Sequence, residues 1–162
     1  MLNGVSSSGK STLAKALAAK LPDYFHYSLD DFDLVIERME DREHNRLIPV
    51  ETAYFYHRSI AMFADKGVNL IIDHVIHDEY TRDDWAVSLS DYPVLRVGVH
   101  CPPEELARRE RERGDRRPGQ AAEQLEFVHK NEQYDIEVDT FADSGEACAA
   151  AIVQALGIKF NG

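Results

Sequence analysis

Eight residues near the start of the chain, Gly4-Val5-Ser6-Ser7-Ser8-Gly9-Lys10-Ser11, fit the pattern G-x-x-x-x-G-K-[ST]. Two glycines permit backbone angles closed to other residues, so successive N–H groups can turn inward onto an anion. The lysine is placed to reach the β- and γ-phosphates of a nucleoside triphosphate, and the final hydroxyl to meet Mg²⁺. Such a loop leaves a β-strand and opens an α-helix, whose N-terminus favours negative charge. The next residues agree, because Leu13, Leu17 and Leu21 recur every fourth position and make one apolar helical face. Gly4, Ser6, Ser7, Ser8, Gly9, Lys10, Ser11 and Thr12 are therefore the expected nucleotide contacts. Only Met1, Leu2 and Asn3 precede the loop, so the first strand is expected to be very short or trimmed at its start.

Beyond the loop, apolar runs alternate with helical patterns. Strands are expected over 24–29, 68–72, 94–100 and 134–138. Helices are expected over 50–64, 80–90, 102–113, near 121–128 and over 144–156, with a short one around Leu34-Val35-Ile36. Val68 to Ile72 is continuously apolar, as in a strand buried on both faces of a parallel sheet. The alternation predicts an α/β layer structure with right-handed crossovers. Ligands in such sheets sit beyond the carboxyl ends of the strands. The phosphate loop, Asp30, Asp73, His100 and Asp139 all fall at that edge.

A length of 162 residues fits a single domain. The net charge of −11 argues against sequence-independent nucleic-acid binding, which needs cationic neutralisation of phosphates. Two cysteines, Cys101 and Cys148, make no disulfide framework and are read as packed side chains, which fits a reduced, cytoplasmic setting. No stretch is apolar enough to span a bilayer, and a phosphate loop opening at residue 4 is expected to leave no room for a secretory signal.

The phosphate loop alone does not separate a kinase from a hydrolase or a nucleotide switch. Asp30 follows a strand at the ligand edge, where a carboxylate can accept the proton of a substrate hydroxyl. It can equally cap the following helix or sit in the Mg²⁺ shell. Asp31 and Asp33 are its rivals. Asp73 closes Leu70-Ile71-Ile72, the position of an Mg²⁺-holding acid or of an ordinary strand-end acid. His74, His77 and Asp78 lack further ligands at zinc spacing and are expected at the surface, or with one touching substrate. Six arginines, at 108, 109, 111, 113, 116 and 117, crowd an otherwise acidic chain. Glu104–Arg108 and Glu105–Arg109 are i,i+4 pairs of a solvated helix. Arg108, Arg109 and Arg111 are assigned to that helix. Arg113, Arg116 and Arg117, flanked by Gly114 and Pro118-Gly119, are assigned to a lid over about 108–119 that closes on the transferring phosphate.

Several of these segments recur together, in this order, in a known family. They are Leu2-Asn3-Gly4 leading into the loop, Ile71-Ile72-Asp73, Val97-Gly98-Val99, Arg113-Gly114-Asp115-Arg116, and Tyr134 to Thr140. On them the chain resembles the chloramphenicol phosphotransferase family of P-loop small-molecule kinases over most of its length. The resemblance implies a three-layer P-loop kinase fold with a mostly parallel five-stranded sheet and an arginine-bearing lid. It implies ATP- and Mg²⁺-dependent transfer of the γ-phosphate to a small-molecule hydroxyl. Asp30 would be the general base, Arg113 and Arg116 the lid arginines, and Asp139 and Thr140 neighbours of the adenine. The segment from about 31 to 64, expected to build the acceptor pocket, departs from the family in length and charge. Tyr54, Phe55, Tyr56 and His57 can line that pocket or lie in the core. An antibiotic such as chloramphenicol is thus one acceptor among others. The alternatives are a nucleoside, nucleotide or polynucleotide-end kinase, a non-catalytic ATP-binding regulator, and a plain NTPase. No nucleic-acid or membrane partner is expected, and the oligomeric state is open.

Overall fold

The shortest strand, β1 (Leu2–Asn3), is also the central one. A computed structural model describes residues 1–114 and 117–161, the side chain of Asn161 excepted. After β1 come α1 (Lys10–Lys20), β2 (Tyr24–Ser28), α2 (Leu29–Glu37), α3 (Thr52–Asp65), β3 (Asn69–His74) and α4 (Glu79–Ser88). The second half adds β4 (Val97–His100), α5 (Pro103–Arg113), α6 (Gln120–Leu125), β5 (Ile136–Asp139) and α7 (Gly145–Asn161). The five strands are all parallel, in the order β2-β3-β1-β4-β5. This is the expected α/β sheet flanked by helices.

Register places the site. Leu2 of β1 lies between Asp73 of β3 and Val97 of β4. Ser28, the last residue of β2, pairs with Asp73. The phosphate loop, the start of α2 and the end of β3 therefore meet at one edge of the sheet.

Two apolar cores sandwich the strands. On one face Leu13, Ala14 and Leu17 of α1 pack with Cys148, Ala149 and Ile152 of α7 against Ile71, Val97 and Val99. On the other, Tyr56 and Ile60 of α3 pack with Trp85 of α4 against Ile72 and Ile76. Neighbours Ile71 and Ile72 enter opposite cores, as strand alternation requires. A smaller cluster of Val5, Cys101, Leu106, Ala121 and Val128 roots α5 and α6 beside the loop. Cys101 and Cys148 are free and buried, as read from sequence.

Element edges move where pairing rather than polarity decides. β4 begins at Val97 and not at 94, because Leu95 is spent in the core before the ladder starts. In α2 only Ile36 is buried, while Leu34 and Val35 are half exposed. No helix among the described residues is long and apolar enough to cross a membrane.

Candidate active site

The loop from Gly4 to Ser11 is held open by its own backbone. Gly9, with φ of 92°, starts α1 from the left-handed region, and Ser7 joins it there at 61°. A Cβ at Gly4 would stand 2.5 Å from the Val99 carbonyl oxygen, so only glycine fits against β4. Lys10 Nζ donates to the Val5 carbonyl at 2.8 Å, bracing its side chain across the loop. The buried Ser7 and Ser8 hydroxyls have no hydrogen-bond partner among the described residues, and Ser7 lines the cleft while Ser8 does not. That is an unusual cost for buried polar groups, and it fits a cradle built for a polyanion.

Ser11 Oγ donates to Asp73 Oδ2 at 2.7 Å. Hydroxyl and carboxylate together make an oxygen donor pair suited to a hard divalent cation. Burial works to raise the Asp73 carboxyl. The nearby His26 ring, the charge of Lys10 and the bond from Ser11 outweigh it and hold the group below its ordinary value. His26 Nε2 lies 3.5 Å from Asp73 Oδ2. Sequence reading misses His26, although it lies two residues before Ser28 on the same face of the strand paired with β3.

Asp30 occupies the first turn of α2, exposed on a cleft of about 590 Å³ that is also lined by Lys10, Ser11, Asp73 and Arg113. The N-cap of α2 is Ser28, so the capping role considered for Asp30 falls away. Asp33 instead accepts from Thr52 Oγ1 at 2.7 Å, tying α2 to α3. Asp31 is exposed and does not line the cleft.

The arginines divide differently from the expectation. Arg109 keeps its pair with Glu105 at 2.7 Å, but it also donates to Thr140 Oγ1 at 3.0 Å and to the Thr140 carbonyl at 3.1 Å. Thr140 in turn donates to the Ser8 carbonyl at 2.6 Å. Arg109 is thus part of the cleft wall and not a solvated helix residue. Arg113 lines the same cleft from the last turn of α5. Arg117 is exposed, pairs with Glu123 and does not line the cleft. Arg116 lies outside the described residues. Arg108 stays on the solvated helix, but it pairs with Glu105 and Glu112 in place of the expected Glu104.

Two further residues escape sequence reading. Glu110 is buried, and its carboxylate accepts from Gly119 N–H at 3.1 Å and Ala121 N–H at 2.7 Å, pinning α5 to the start of α6. Gln124 Oε1 accepts from the Ser6 N–H of the loop at 2.6 Å. Asp139 spends its carboxylate on the Phe141 and Ala142 N–H groups, so only Thr140 of the expected adenine pair lines the cleft. His100 pairs with Glu137 at 2.7 Å and does not line it.

The histidines expected at the surface also divide. His77 is exposed, and Asp78 caps α4 by accepting from Thr81 N–H at 2.7 Å. His74 is buried in the cleft wall, bonded to His57, and His77 lines the same cleft. Tyr56 and His57 lie in the core and do not line an acceptor pocket. No cluster of three or more metal-ligating residues occurs among the described residues.

The family model described as "Chloramphenicol phosphotransferase-like protein" matches residues 1–157. The chain belongs to this family. Two Mycobacterium tuberculosis proteins (strains CDC 1551 / Oshkosh and ATCC 25618 / H37Rv), each named "Putative O-phosphotransferase", are 34% identical over 171 residues. The match spans 88% of this chain and 74% of each relative. The fold is shared with the tunicamycin resistance protein of Deinococcus radiodurans, at TM-score 0.72 and 19% identity over 96% of this chain and 93% of that one. It is shared with the Mycobacterium tuberculosis APS kinase CysC, at TM-score 0.68 and 14% identity over 96% and 94%. A gluconokinase from Sinorhizobium meliloti matches at TM-score 0.64 and 20% identity over 98% and 95%. Membership of the chloramphenicol phosphotransferase-like family makes the chain a phosphotransferase of the P-loop kinase type.

Proposed function

We propose that the chain transfers the γ-phosphoryl group of ATP to a hydroxyl of a small organic molecule. The observation that carries this reading is the position of Asp30, on the same cleft as the Ser11–Asp73 pair. A hydrolase or nucleotide switch has no need of a second carboxylate facing the loop from the acceptor side.

Each residue then has a task. The loop N–H groups and the Ser7 hydroxyl hold the phosphates, and Lys10 neutralises the β- and γ-groups. Ser11 and Asp73 would hold Mg²⁺, which when bound offsets phosphate charge. Asp30 takes the proton of the acceptor hydroxyl. The freed oxygen bonds the γ-phosphorus, and the bridging oxygen leaves with ADP. Arg113 faces the transferring group from α5, and Arg116 is assigned to the same task by the family resemblance. Arg109 and Thr140 hold the loop against the sheet. One domain carries all of this, with about 108–119 as lid and 31–64 as the acceptor side.

The acceptor is a hydroxylated small molecule, an antibiotic such as chloramphenicol among the first to try. The test is incubation with ATP, Mg²⁺ and a panel of hydroxylated antibiotics, sugars and nucleosides, followed by mass spectrometry. A product heavier by one phosphoryl group supports the reading. Release of inorganic phosphate alone across the panel contradicts it.

A further inference from the structure

Three buried or nearly buried side chains from three elements form one hydrogen-bonded chain behind Asp73. His74, the last residue of β3, accepts at Nδ1 from the Val75 N–H at 2.8 Å. Its Nε2 stands 2.8 Å from Nε2 of His57 on α3. Nδ1 of His57 stands 2.6 Å from Oδ2 of Asp84 on α4. Asp84 is braced in turn by Arg58 at 2.7 Å.

The donors and acceptors admit one arrangement. An amide N–H only donates, so Nδ1 of His74 offers a lone pair and its hydrogen sits on Nε2. Nε2 of His57 must then accept, and its hydrogen sits on Nδ1, which donates to the Asp84 carboxylate. Asp84 therefore sets the tautomer of His57, and His57 sets that of His74. His74 in turn orients the turn that follows Asp73. The next amide of that turn is also captured, since Ile76 N–H donates to Asn3 Oδ1 at 3.0 Å. Edge contacts from Trp85 and Tyr56 fix the planes of the two rings.

Resting on the phosphotransferase reading above, we propose that Asp84, His57 and His74 are positioning residues. They hold the end of β3 so that Asp73 keeps its place beside Ser11, and they tie that end to the acceptor-side helices. His57 and Asp84 lie off the cleft, and His74 meets its wall at the end of β3. Oriented partners one step behind an oxygen ligand commonly govern how well it works.

Two measurements on the full chain test this. Long-range ¹H–¹⁵N correlation on the nucleotide-free protein should find the hydrogen on Nδ1 of His57 and on Nε2 of His74. The opposite tautomer on either ring overturns the proposal. The second measurement is AMPPNP affinity, by calorimetry, with Mg²⁺ and with EDTA. Asp84→Ala should weaken binding about 10-fold with Mg²⁺ and leave it unchanged in EDTA. Asp84→Asn, which keeps an oxygen acceptor for His57, should restore the wild-type value. Equal loss in both conditions, or no loss in either, makes these three residues a support of the fold alone and overturns the proposal. A wild-type protein that binds no AMPPNP contradicts the phosphotransferase reading itself, while the ring tautomers still test the hydrogen-bonded chain independently.

Discussion

Arg109 shows how one side chain can satisfy a local pattern and serve a distant site. Its i,i+4 pair with Glu105 is present, and that pair gives it the look of a surface residue. A guanidinium has five donors, however, and one acid occupies only part of them. The rest reach Thr140 and, at 3.4 Å, the Ser7 carbonyl. Sequence spacing records the near partner and is silent on the far one. Asp30, Ser11 and Asp73 are legible because strand ends and a known loop place them. His74 is not, since a histidine after a strand carries no mark of the buried His57 that completes it. Arg109→Ala should weaken ATP binding by about 10-fold, on the order of 1.4 kcal/mol for a charge-assisted bond to the loop. Calorimetric titration reads this directly, and wild-type affinity in that variant would return Arg109 to the solvated helix.

Among the elements, α5 is legible by its charge and deceptive in its burial. Its buried residues are Leu106, an ordinary apolar anchor, and Glu110. A buried carboxylate is unexpected from composition, and the reason is local. The first amides of α6 have no helical partner. Glu110 supplies the acceptor and pins α5 to the start of α6. Glu110→Ala should cost about 2 kcal/mol of stability, because the buried Ala121 N–H and the part-buried Gly119 N–H lose a charged acceptor. Urea unfolding checks this, and an unchanged midpoint would show the pin idle. The stretch from 31 to 64 is the least legible. Its acids have no period, and its organising bonds, Thr52 to Asp33 and Tyr56 to the Tyr27 carbonyl at 2.7 Å, connect separate elements.

Across the whole molecule, the alternation of apolar runs with helical faces is enough to predict a parallel sheet. Strand order is not readable, because a two-residue β1 has no period, and its central place follows from pairing on both sides. The folded state also keeps two imidazoles from protonating. Burial pushes His57 below its ordinary 6.5, against the pull of Asp84. Burial and then the charge of His100 take His129 to about 4. The unfolded chain therefore binds more protons below 6.5, so stability rises with pH in that window and is lost as pH falls through it. The urea midpoint should be lower near pH 5 than near pH 7. An equal or higher midpoint at the acid end would contradict this sign.

The central claim is that Asp30 turns a nucleotide cradle into a transferase. It is tested most directly by following label from γ-³²P ATP in wild type and Asp30→Asn, with the acceptor found in the panel. The account predicts labelled organic product from wild type. It predicts at least about 100-fold less from the variant, at unchanged ATP affinity. Equal product from both proteins would contradict it.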